Sequence, residues 1–232
     1  MNFILDDKET NRKFLEILRL IKLRQNGDVS ETMRACGISY KVNWGVSLPE
    51  LRELAQMFEP SHLLAMKLWN KLWRETMILS TMLDEPSAVT EEMMDFRTRN
   101  FENTEIVEQA SANLWVKTPF AFAKALEWCR GKKHLVRYTA VHLIGRLALT
   151  QKKAIDEMFE PFFEELVPLA KDKTLFTPLY RSIIAIGTRS HQLNGQCVSF
   201  SETLRSTGCE TAEMLGSQLL NELTSTYLRE TI

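Results

Sequence analysis

Residues 101–128, FENTEIVEQASANLWVKTPFAFAKALEW, hold the pattern that most narrows what this chain can fold into. Leu114 and Trp115 close one apolar run, and Phe122, Ala125 and Leu126 carry the next at three- to four-residue spacing. That period belongs to amphipathic helices. Thr118-Pro119 predicts the start of the second helix: a hydroxyl for the N-cap, then a proline at the first helical position, where a missing N–H is harmless. Thr104 reads as the N-cap of the first helix. Glu105 and Glu108 then lie in or just beyond its first turn, where the helix dipole favours carboxylates.

The same theme recurs along the chain. Asp6 or Asp7 can cap a helix carrying Phe14, Ile17, Leu18 and Ile21 and ending near Gly27; a short helix runs from Ser30 to Gly37. Ser47-Leu48-Pro49-Glu50 is a capping box, with hydroxyl and carboxylate each reaching a free N–H of the other's end. Pro60-Ser61 opens the next helix, another runs through Met77 to Leu83 and stops at Asp84-Glu85-Pro86, and Thr90 caps one reaching Phe101. Gly131 stops the helix ending at Trp128. His134 to Leu149 places Val136, Ala140, Leu143, Ile144 and Leu147 on one side. A helix over 156–170 is interrupted by Pro161 and Pro168, one over 175–188 is central, residues 191–209 hold one short helix with loops, and Thr211 to Tyr227 is last. No segment alternates with hairpin chemistry. The expectation is an all-α chain with a single domain over 1–232. About a dozen helices, paired antiparallel at a period of roughly 35–45 residues, match the spacing of HEAT-like repeats. Such a superhelix offers a concave surface. An irregular helical bundle is the alternative.

Composition excludes several classes. At 232 residues, 44% hydrophobic and 25% charged, the chain can bury a sizeable core. No apolar run reaches the roughly 18 residues of a membrane span, and MNFILDDKETNRK turns acidic too early for a secretory signal. Cys36, Cys129, Cys197 and Cys209 lack paired spacing and read as reduced thiols of a cytoplasmic protein. No histidine lies at ligand spacing from a cysteine, so neither a zinc site nor another metal or cofactor is expected.

The formal net charge of −1 hides a division. Residues 84–108 hold eight acids against two bases, whereas residues 115–190 hold thirteen bases against seven acids. The second window can present a basic face to phosphate, or simply solvated helix surfaces. Lys132, Lys133 and Arg137 follow Gly131 at a helix junction, Arg146, Lys152 and Lys153 come one element later, and Lys171 and Lys173 after that. Trp69, Trp73, Trp115 and Trp128 read as packing residues; Tyr40 and Trp44, in a loop-like stretch, are the better exposed aromatics, or a lid over the first helices.

Trp44-Gly45-Val46 with Leu48 to Arg52, Arg74-Glu75 leading into Met77 to Pro86, Thr118 to Phe122 with Ala125 to Trp128, Ile186 to Ser190, and Ala212 to Leu223 together resemble the AlkD-like DNA alkylation repair family. The resemblance spans most of the chain and implies a HEAT-like fold, double-stranded DNA as partner, and excision of cationic alkylpurines. It implies Glu108 as the catalytic carboxylate, a glutamate where the family carries aspartate. It sets Thr104, and Arg181 or a neighbour, at positions where the family carries tryptophan, and Arg137 at the family's central arginine. Arg181 and Arg189 join Lys132, Lys133, Arg137 and Arg146 as the expected DNA contacts.

Cleaving an N-glycosidic bond builds positive charge on the sugar, which a carboxylate stabilises while orienting water. Aromatic faces hold a cationic base by about 0.5–2 kcal/mol each. Threonine and arginine supply no such face, and arginine repels a cation. The resemblance therefore points to a DNA-binding protein whose glycosylase activity is weakened or redirected. Beside it stand a non-catalytic binder of damaged or branched DNA and a helical protein-interaction scaffold.

Overall fold

The structure, a computed structural model, describes residues 7–226. Thirteen α-helices occur among the described residues, with no strand and one isolated bridge between Val42 and Trp73. They are α1 Lys8–Leu23, α2 Gly27–Ala35, α3 Leu48–Ala55, α4 His62–Asn70, α5 Arg74–Leu83, α6 Glu91–Arg99, α7 Thr104–Asn113, α8 Ala121–Cys129, α9 His134–Thr150, α10 Glu160–Leu169, α11 Phe176–Gly187, α12 His191–Arg205 and α13 Glu210–Leu223. Two compact units emerge, Met1–Thr118 and Pro119–Ile232. In the first, α4 packs on α1 and α5, and α5 also meets α3 and α7. In the second, α9 packs on α8 and α11, α11 on α12 and α13, and α12 on α13.

Most helix starts sit where their caps predict. Asp7 accepts the Thr10 N–H at 2.8 Å, while Asp6, the other cap considered, lies outside the described residues. Both halves of the Ser47–Glu50 box are present, and Ser61 and Thr90 cap α4 and α6. Four expectations are corrected. Helix α2 starts at Gly27, capped by Asn26, earlier than the start expected at Ser30, whose hydroxyl lies inside the helix and donates to Asn43 O at 3.0 Å. Asn103 caps α7 and Thr104 is its first residue; the Asn103 amide oxygen takes the Ile106 N–H while its NH₂ ties back to Ser39 O. Thr118 is buried and donates to Trp115 O, closing a 3-10 turn, so α8 starts later, at Ala121, with no side-chain cap. Residues 191–205 form one 15-residue helix, longer than the short helix expected, with Leu193, Cys197, Phe200 and Leu204 buried along one stripe. Burial of that stripe outweighs the weak helix propensity of its serines, threonine, asparagine and glycine. The last helix ends at Leu223; Tyr227 lies outside the described residues.

The tryptophans behave mainly as core. Trp69, Trp115 and Trp128 are buried, whereas Trp73 is half-buried. Gly45 is required twice over: its φ is +73°, and a Cβ there would stand 1.9 Å from Asn26 O. At Gly216 a Cβ would meet Ser201 O at 2.5 Å, so the α12–α13 crossing needs a bare backbone.

A buried polar network fixes the segment before α3. The Arg74 guanidinium, 2% exposed, donates to Val46 O at 2.6 Å and to Glu105 through Nε and Nη2, the latter at 2.7 Å. Glu75 is fully buried, and its Oε1 accepts the Trp44 and Val46 N–H groups. Tyr40 donates to Glu105 at 2.9 Å. Burial and then the Glu105 charge raise the Tyr40 phenol far above its usual range, so it stays a donor. Arg74-Glu75, singled out in the sequence for family likeness, thus does structural work in this unit. A second buried pair, Arg97–Asp84 at 2.9 Å, is completed by His62 on Asp84 and by the Trp69 ring under the guanidinium.

Candidate nucleic-acid interface

Helix α9 carries two rows. Val136, Ala140, Leu143, Ile144 and Leu147 are buried, as their spacing predicts. One turn apart along a second row stand His134, Tyr138, His142 and Arg146. The Tyr138 ring lies 6.2 Å from His134 and 6.5 Å from His142, nearly parallel to the latter at 12°. Such a row comes from i, i+4 spacing alone, since those side chains lie above one another on a helix. Arg181 is exposed on α11, which packs on α9. Burial, then the charge of Arg146, then that of Arg181 drive the His142 pKa down to about 4.

That shift has a consequence for stability. The unfolded chain takes up a proton at His142 near pH 6.5, and the folded chain only near pH 4. The stabilisation from a neutral His142 is complete above pH 6.5. As pH falls toward 4 it is lost, by up to about 3 kcal/mol. Denaturant titrations of His142→Gln between pH 7 and 4 should show a flatter decline than the parent. Parallel slopes would mean that His142 is not held neutral.

The other expected contacts divide. Arg137, half-buried, approaches Asp172 at 3.6 Å, and His134 approaches the same carboxylate at 3.7 Å. The Thr174 hydroxyl, ahead of His134 and Arg137, holds the Asp172 pKa below the usual carboxylate value, so the charge of Arg137 is partly offset. Arg137 lines an open cleft of about 470 Å³ with Lys171 and the ion-paired Arg130 and Glu165. Lys132 and Lys133 are exposed in the α8–α9 turn, and Lys152, Lys153, Lys171 and Lys173 are exposed beyond α9 and α10. Arg189 has a different role. Its two NH groups donate to Ala148 O at 2.8 Å and Ala154 O at 2.7 Å, and its guanidinium stacks on Phe159 at 4.5 Å. It caps the end of α9, using donors that a phosphate would need.

Glu108 belongs to the first unit, half-buried on α7 one turn beyond Thr104, which is also half-buried. The cluster of Arg146, Arg181 and His142 belongs to the second. His142 and Tyr138 escaped the sequence reading. Their only signal was the four-residue spacing of ring side chains on a helix whose apolar face was already assigned. Two guanidinium groups whose charges act on one imidazole, with a phenol stacked on that ring, can hold an anion by charge-assisted hydrogen bonds. Among the described residues, no three His, Cys, Asp or Glu side chains gather to hold a metal ion, and no helix is long and apolar enough to cross a membrane.

A solved structure described as "a new family of proteins related to the HEAT-like repeat DNA glycosylases with affinity for branched DNA structures" superposes on this chain with a TM-score of 0.71. The chain has a HEAT-like repeat fold. The similarity covers 90% of this chain and 94% of that one at 12% identity, so the HEAT-like likeness is one of architecture. No protein-family model matches the chain, and no curated protein matches it. Within the second unit α9 packs on both α8 and α11, and α9 and α11 carry Arg146 and Arg181.

Proposed function

We propose that this chain is a divergent AlkD-like protein that binds double-stranded DNA, with a preference for branched DNA, through the α9–α11 face of its second unit. The observation that carries the reading is that α9, bearing Arg146, packs on α11, bearing exposed Arg181, and that both charges act on His142. Phosphate contacts from arginine supply most sequence-independent DNA affinity. Lys132 and Lys133 extend the positive surface at the start of α9. The architectural likeness to a structure described as having affinity for branched DNA supports the same partner. Arg189 is left out of the contact set, since its donors already serve Ala148 and Ala154.

Base release, in this reading, runs through Glu108 and is slow. Thr104 and Arg181 present no aromatic face to a cationic base. Relative to aspartate, the extra methylene of Glu108 moves the carboxylate, and a displacement near 1 Å costs on the order of 100-fold in rate. Fluorescence anisotropy with a four-way junction and a linear duplex of equal length tests binding. Tighter binding to the junction and a steep fall in affinity with salt are expected. No binding to either at low salt would remove the proposal. Base release from alkylated duplex by the parent and by Glu108→Gln tests the chemistry: equal rates would exclude Glu108 as the catalytic group.

A further inference from the structure

An open cavity of about 730 Å³ in the first unit is lined by Gln25, Ser30, Glu31, Arg34, Asn43 and Trp44. Its volume falls within the roughly 300–1,000 Å³ of small-ligand sites. The half-buried Trp44 forms the aromatic wall, and its backbone is fixed on both sides. Trp44 O accepts the Asn26 N–H at 2.8 Å, and its own N–H donates to buried Glu75 at 3.0 Å. The Trp73 ring leans on it at 5.3 Å and 59°. Two exposed lysines stand over these rings: Lys22 Nζ is 5.5 Å from Trp44 and 5.7 Å from Trp73, and Lys71 Nζ is 4.8 Å from Trp73. Neither lysine has a carboxylate at ion-pair distance among the described residues; their hold on the rings is one of about 0.5–1 kcal/mol at exposed sites, easily exchanged for a phosphate.

We propose that this cavity is a second nucleic-acid site, which takes one unpaired nucleobase of a branched or bulged DNA against Trp44. A rigid tryptophan gives any base a stacking face, worth about 1–3 kcal/mol. The side-chain amide of Gln25, the Arg34 guanidinium and the Glu31 carboxylate offer both donors and acceptors to a base edge. Lys22 and Arg34 are placed to meet the flanking phosphates. Asn43 contributes less, because its side-chain oxygen Oδ1 already accepts the Gly45 N–H at 2.9 Å. Paired bases cannot enter, so the site selects for interruptions in the duplex. The proposal rests on the DNA-binding reading only for its choice of duplex; the cavity can be tested alone.

The probe is a duplex carrying one bulged 5-iodouracil, compared with the same base paired and with a short single strand bearing it. Irradiation should cross-link the bulged and single-stranded bases to Trp44, located by peptide mass spectrometry, and leave the paired base uncoupled. The Lys22→Ala/Arg34→Ala variant changes only exposed side chains. It should bind the bulged duplex about 30-fold less tightly, as about 1 kcal/mol for each of the two lost contacts implies, while its melting temperature falls by a few degrees at most, from the lost Lys22 ring contacts, and its affinity for uninterrupted duplex stays unchanged. Binding of plain duplex without cross-linking at Trp44, or equal cross-linking from the paired base, would overturn the cavity proposal and leave the α9–α11 reading standing. Cross-linking of the single strand without any duplex binding would keep the cavity and overturn that reading. Absence of both removes both.

Discussion

Arg74→Met is expected to lower the unfolding free energy by about 3–5 kcal/mol, the range seen when one partner of a buried ion pair is deleted. The size follows from what remains behind. Glu75 has no exposed surface, and Glu105 is 11% exposed on its side chain. Both would lose the guanidinium that now lies 3.3 Å from one and 2.7 Å from the other. Burial alone works against a charged Arg74, yet the hydrogen bonds and charges of Glu105 and then Glu75 raise its pKa above the ordinary value. Methionine fills similar space, so the loss reports electrostatics more than packing. Val46 O also loses its donor, and with it the segment 40–46 that Arg74, Glu75 and Glu105 hold together. For a chain of this length the melting temperature should drop by about 6–20 °C. A loss under about 1 kcal/mol in urea titration would show that the network is solvated and the pairs are interchangeable with water.

Arg146→Ala/Arg181→Ala should weaken binding to linear and junction DNA alike, by about 10- to 100-fold near 0.15 M salt. Each phosphate contact removed should also flatten the slope of log affinity against log salt by about 0.9, so two contacts give a change near 2. A change confined to one DNA form would assign these arginines to shape recognition. An unchanged slope would deny them phosphate contact. The same variant carries a readout that needs no DNA. With both neighbouring charges gone, the His142 pKa should rise from about 4 part of the way toward 6.5, followed by the imidazole proton shifts in NMR titration. Burial acts against protonation whatever the neighbours, so the rise stops short of the free value. If His142 does not respond, the two arginines do not converge on it, and the DNA reading loses its carrying observation.

How much of this was legible beforehand depends on the range over which each signal acts. Ser47, Ser61 and Thr90 cap the helices they were read to cap, because an N-cap bond closes within three residues and depends little on the rest of the chain. Asn103 displaced Thr104 where both are competent caps; the tie from the Asn103 amide to Ser39, 64 residues away, decides between them. Thr118-Pro119 has the chemistry of a helix start, yet the Thr118 hydroxyl closes the preceding turn on Trp115 O. In α12 the serines, Gly195 and Asn194 obscure a helix that burial of Leu193, Cys197, Phe200 and Leu204 enforces. Among the expected basic contacts, Arg146 and Arg181 lie on the packed helices α9 and α11, Arg137 shares Asp172 with His134, and Arg189 turns inward to two carbonyls.

The sequence by itself determined the all-helical class, the position of most helices and the basic second half, because period, caps and charge are local properties of the chain. Only the tertiary structure decided which charges act together. The Arg181 charge acts on His142 from a neighbouring helix, and Arg74 meets Glu105 and Val46 O across 31 and 28 residues. Electrostatic and hydrogen-bond energies depend on ångström distances and on exclusion of water. Packing sets both, and neither can be read from the spacing of residues along one strand of sequence.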